Sequence, residues 1–127
     1  MDCATVSIYI DEACVALSRK TPIAKKQHKC HECYRKIMPG EQYERLVNIY
    51  DGMISTNKTC IDCLSIREVF FSGGYYLESI HEDLREHVFE CYGDISESQI
   101  TKLTPGARLI VAGILDEFYA NADYGEE

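Results

Sequence analysis

Two Cys-x-x-Cys pairs, Cys30/Cys33 and Cys60/Cys63, lie 26 residues apart in this 127-residue chain, and no other feature restricts its fold as strongly. A Cys-x-x-Cys loop presents two thiolates to one ion, and two such loops supply the four soft ligands of a zinc tetrahedron. The separation exceeds the common spacing of about 15 to 20 residues. A hairpin between the pairs accounts for the excess: Gln42 to Tyr50 and Met53 to Thr59 read as strands on either side of Asp51-Gly52, a tight-turn dipeptide. Four cysteine ligands leave no open coordination position, so the expectation is one structural Zn2+ on Cys30, Cys33, Cys60 and Cys63. Iron could occupy the same thiolates, and either pair has the spacing of a redox motif. Two pairs at ligand spacing, outside a βαβ context, favour zinc.

Other candidate ligands are less well placed. His28 and His31 flank the first pair and read as extensions of a basic surface. Cys3, Cys14 and Cys91 have no ligand partner at recognisable spacing, and Cys91 continues an apolar helical stripe, as a small buried hydrophobe does. An odd total of seven cysteines, and Asp2 where a secretory leader would carry basic residues, favour metal binding in a reducing cytoplasm over a disulfide framework. No apolar run approaches the roughly 20 residues of a membrane span.

The rest of the chain reads as one α+β domain over residues 1–127, with 46% hydrophobic and 27% charged residues. Val6 to Ile10 alternates like a strand, and Glu12 to Leu17 suits a helical turn or a second strand. Ser18 to Gln27 reads as a flexible basic arm. From Ile61 the period changes to that of a helix, ending near Ser72-Gly73-Gly74. Leu77, Ile80, Leu84, Val88 and Cys91 form the apolar stripe of a second helix closed by Gly93. A last helix starts with Thr104 as N-cap and Pro105 in its first turn, and Asn121 to Glu127 is an acidic tail expected to fray.

The net charge of −8 conceals an asymmetry. Seven bases, Arg19, Lys20, Lys25, Lys26, Lys29, Arg35 and Lys36, face one acid, Glu32, between positions 19 and 36; this stretch is +6 and the remainder −14. A basic finger on an acidic body suits a protein partner, because the body's field repels a long duplex. Binding of nucleic acid through the same seven bases is the alternative, and self-association through Phe70-Phe71 and Tyr75-Tyr76 a third.

Residues Ala24 to Cys33, followed by Ile37, Pro39-Gly40-Glu41, Tyr43-Glu44, Asp51-Gly52, Lys58-Thr59-Cys60 and Cys63, resemble a family of small uncharacterised phage and prophage proteins. The pattern is similar to a treble-clef zinc finger: a knuckle with the first pair, a hairpin, then a helix whose first turn carries the second pair. The resemblance covers residues 18–71 and implies structural zinc and a viral or mobile-element origin, hence a host bacterial cytoplasm, but no activity. Tyr34 departs from it, standing where many knuckles have glycine. The helical part, 75–120, with its C-terminal pair of helices, is not covered.

No catalytic constellation stands out. His81-Glu82-Asp83-Leu84-Arg85-Glu86-His87 places its histidines six residues apart, on different sides of a helix, and reads as a solvated, ion-paired face. There is no G-x-S-x-G, Walker or dinucleotide fingerprint, and the hairpin carries no histidine to act as a nuclease base. The expectation is a non-enzymatic protein-binding module. Inhibition of a bacterial defence complex, in the manner of an anti-CRISPR, is its most specific form.

Overall fold

A computed structural model describes residues 15–72 and 74–124; the strand expected at Val6 to Ile10 lies outside them, as do Cys3 and Cys14. The chain is a mixed α+β structure. Strands β1 (Val15–Lys20), β4 (Tyr43–Tyr50) and β5 (Met53–Cys60) form an antiparallel sheet in the order β1-β4-β5, while β2 (His28–Lys29) and β3 (Lys36–Ile37) pair in a small ribbon. Helices α1 (Ile61–Phe70), α2 (Ile80–Glu90), α3 (Glu97–Thr101) and α4 (Pro105–Tyr124) follow.

The hairpin forms where its turn chemistry demands. Asp51 and Gly52 both have positive φ, 52° and 74°, as a two-residue turn requires if its twist is to match the flanking strands. The register then runs from Tyr50↔Met53 to Tyr43↔Cys60. Cys60 therefore ends β5 and immediately precedes α1, whose first turn holds Cys63. Alternation divides the sheet into two faces. Glu44, Leu46, Asn48, Asn57 and Thr59 are buried on one, where Asn48 donates to Asn57 at 3.0 Å and Ser55 to Asn48 at 3.0 Å. Lys20, Arg45 and Lys58 occupy the other, at paired positions.

Two cores result. The larger joins the helices through Ile66, Phe70, Ile80, Leu84, Val88 and Val111. The smaller surrounds the cysteines with Ala24, Ile37 and Tyr43. Phe70 and Phe71 are buried in the larger core, so those rings are spent on folding.

The structure differs from the sequence reading in several places. Positions 18–20 belong to β1 instead of a flexible arm, because Arg19 reaches back to Glu44 and the strand pairs with β4 through a bulge at Ala16/Ser18. The C-terminal part contains a short extra helix, α3, capped by Ser96; it buries no residue and so leaves no apolar period in the sequence. Helix α4 continues through Asn121 to Tyr124, into the segment expected to fray.

One buried ion cluster ties sheet to helix. Glu44, 2% exposed, accepts two hydrogen bonds from Arg67, one at 2.7 Å, and one from Arg19 at 3.0 Å. Arg67 lies 4.6 Å above the Tyr75 ring. Burial alone would raise the Glu44 pKa, but the two guanidiniums outweigh it and hold the carboxyl below its ordinary range. Glu44→Gln is expected to cost about 3 kcal/mol in urea denaturation, because it leaves Arg67 buried without its counter-charge. The contribution of Glu44 is complete above about pH 4.3 and is lost as pH falls through its lower folded-state value; the variant should lack that part of the acid limb.

Candidate metal centre

The sulfurs of Cys30, Cys33, Cys60 and Cys63 lie within 4.8 Å of one another, so the two pairs converge as their spacing predicts. Local structure explains how. Cys30 directly follows β2 and its N–H donates to Arg35 O at 2.9 Å, while Tyr34 N–H donates to Cys30 O at 3.0 Å, closing a tight loop around the first pair. Tyr34 completes that turn at φ 65°, in the left-handed region that glycine enters most readily. Its ring is 61% exposed and carries Lys29 Nζ 5.3 Å from its centroid. Cys60 caps α1 and accepts from Cys63 N–H at 3.5 Å.

The arrangement fits a tetrahedral dication. Cys33 and Cys60 sulfurs are 3.7 Å apart, against an edge of about 3.8 Å for metal–sulfur bonds of about 2.3 Å. Backbone N–H groups of Glu32 and Cys60 point at Cys30 Sγ, at 3.4 and 3.3 Å, as they do toward thiolates. Without a cation the thiols oppose one another. Cys30 is held low by hydrogen bonds from Cys33, Cys60 and Cys63, whereas Cys63 and Cys33 are pushed up, first by Cys30. Only a cation lets all four ionise together. Cys30, Cys60 and Cys63 are 0% exposed and Cys33 is half-buried, and four thiolates would leave a bound ion no open coordination position.

The surroundings of the cluster contain residues that sequence reasoning missed. His81, expected on a solvated face, lies on α2 with Nε2 3.0 Å from Cys63 Sγ. Burial lowers its pKa, and a neutral ring with the proton on Nε2 donates to a thiolate that can only accept. His87 is also buried, 4% exposed, beside Phe70 and Cys91. Arg85 pairs across helices with Glu117. Cys91 is buried as its stripe predicts but is also disulfide-bonded, which the reading as a small hydrophobe did not anticipate. Glu32, in the knuckle, accepts from Glu78 N–H at 2.8 Å and Ile80 N–H at 3.2 Å. It caps α2, whose own N-cap Ser79 makes no side-chain cap bond. Glu32 and His81 are 49 positions apart, and no local pattern links them.

The seven candidate partner-binding bases separate into two groups. Arg19 is committed to Glu44, and Arg35 to Glu41 at 3.1 Å and Asp62 at 3.4 Å. The Arg35 pKa is raised, chiefly by Glu41, with the Cys60 sulfur adding to the effect; it balances charge at the metal centre. Lys20, Lys25, Lys26, Lys29 and Lys36 are exposed. His31 faces inward, its Nδ1 accepting from Lys58 N–H at 2.8 Å, so only His28 joins the basic surface. Arg45 and Lys58, from the hairpin, join that surface too; they lie outside the basic stretch of sequence and only strand register brings them in.

No family model, curated protein or solved structure matches the chain. Among the described residues, no helix is long and apolar enough to cross a membrane.

Metal removal should loosen both halves of the molecule. A strong chelator is expected to lower the melting temperature and to accelerate hydrogen exchange at the Glu78 and Ile80 amides, which Glu32 holds; unchanged exchange would show the knuckle stands without an ion. Tyr34→Gly should relieve the left-handed strain and stabilise the loaded protein by up to about 1 kcal/mol in denaturant titration, where alanine would not.

Proposed function

We propose that this chain is a structural-zinc protein of treble-clef type, with knuckle, hairpin and helix assembled around Cys30, Cys33, Cys60 and Cys63, and that it works by binding a protein partner, without catalysis. One observation carries the reading. Three of the four ligands, Cys30, Cys60 and Cys63, are fully buried and Cys33 is half-buried, while lysines from the same module, Lys20, Lys25, Lys26, Lys29 and Lys36, stand exposed. A closed four-thiolate site has no position for substrate. Its role is to hold the basic surface in shape.

The resemblance to small phage proteins directs the search for the partner to bacterial host proteins and defence complexes, where occupying a functional surface is sufficient to inhibit. Phosphates would also suit exposed lysines. The overall charge of −8 opposes a long polyanion, however, and favours a protein with a local acidic patch.

Capture from bacterial lysate on immobilised, metal-loaded protein, with and without nuclease, tests this function. A nuclease-resistant protein should be retained by wild type and lost from Lys25→Glu/Lys26→Glu at unchanged melting temperature. A catch that disappears with nuclease would replace the protein partner by nucleic acid, and one indifferent to the double reversal would reject the basic surface.

A further inference from the structure

Resting on that binding reading, we propose that the solvent face of the sheet is a docking groove for an acidic segment of the partner protein, one that alternates carboxylates with branched apolar residues. Lys20 pairs with Arg45 across β1 and β4, and Arg45 with Lys58 across β4 and β5. Three cations thus form one row across three strands. Like charges directly opposite one another destabilise an antiparallel sheet, and this sheet places two such contacts side by side. The connector between β1 and β2 adds Lys25 and Lys26, and β2 adds His28, enclosing with Pro22, Ile23 and Tyr43 a groove of about 520 Å³ in which, among the described residues, no carboxylate lines the wall.

The absence of acids there is local. The chain has 21 acidic residues against 13 basic ones, and Arg19, Arg35, Arg67 and Arg85 are all ion-paired. Among the described residues, no ion pair involves Lys20, Lys25, Lys26, Arg45 or Lys58. Lys58 Nζ is instead 3.1 Å from His28 Nδ1. Repulsion on this scale is relieved when a ligand brings the missing carboxylates.

Apolar surface on both sides of the row defines the remainder of the ligand. Ile23, 64% exposed, lies in the groove, and Ile54, 66% exposed, pairs with Ile49 further along the same face. Strands about 4.8 Å apart make the row about 10 Å long, and an extended peptide sets alternate carboxylates about 7 Å apart. Two acids therefore reach the row while neighbouring apolar side chains meet Ile23 or Ile54. The face suits bases poorly. Tyr43, the groove's tyrosine, is 6% exposed and packs on His28 at 5.0 Å, leaving no open tyrosine ring for stacking among the described residues of the groove.

The test titrates the metal-loaded full chain, observed by amide NMR, with a short peptide alternating glutamate and leucine, its glutamine-for-glutamate analogue, and oligo-dT of similar length. The acidic peptide should shift the Ile23, Lys20, Arg45 and Lys58 amides and bind about tenfold or more tightly than the analogue. Arg45→Glu/Lys58→Glu should abolish those shifts while leaving the melting temperature unchanged or higher, since the row's repulsion is removed. Shifts confined to another surface, no binding, equal affinity for the analogue, or tighter binding of oligo-dT at the row would each overturn the groove. A partner captured from lysate but retained by Arg45→Glu/Lys58→Glu would also overturn it while leaving the binding module intact.

Discussion

Four thiolates converging on one small interior volume are the constraint on which the rest of this protein depends. Sulfurs this close repel when ionised, and only a cation among them makes the arrangement favourable. The chain around them cannot replace that contribution. The core beside the cysteines contains little beyond Ala24, Ile37 and Tyr43, and β2 and β3 are two residues each. A metal held by the four thiolates would supply the cohesion that a larger apolar core otherwise provides.

The cluster also reaches into the helical part through polar contacts. Glu32 leaves the knuckle to cap α2, and His81 returns from α2 to Cys63. On the other side, Asp62 in the first turn of α1 pairs with Arg35 and accepts from Thr104 Oγ1 at 2.7 Å at the start of α4. Gly106 approaches the Asp62 carboxylate too closely for a β-carbon. Metal centre and helices are thus interlocked by directional bonds among buried or half-buried groups, which tolerate little displacement.

Charge is used in two ways. Within the scaffold, arginines are matched to carboxylates, most completely at Glu44 and Arg67. On the open face of the sheet, Lys20, Arg45 and Lys58 stand in register with no ion pair among the described residues. A chain with an excess of acids has carboxylates available to neutralise them, so the unpaired row marks the face where binding energy from outside can be gained.

The sequence by itself determined the elements whose signals are local. Two Cys-x-x-Cys pairs specified the ligands, Asp51-Gly52 the hairpin, and Thr104-Pro105 the start of the last helix, because turn, cap and ligand chemistry are properties of a few adjacent residues. The tertiary structure decided everything that depends on residues distant in sequence. It bound Arg19 and Arg35 to carboxylates instead of leaving them for a partner, turned His81 from solvent to sulfur, made Glu32 a helix cap, and drew Arg45 and Lys58 into a row with Lys20. Each change depends on strand register or helix docking. Charge counted along a chain cannot reveal it, because a side chain's partner is set by proximity in space.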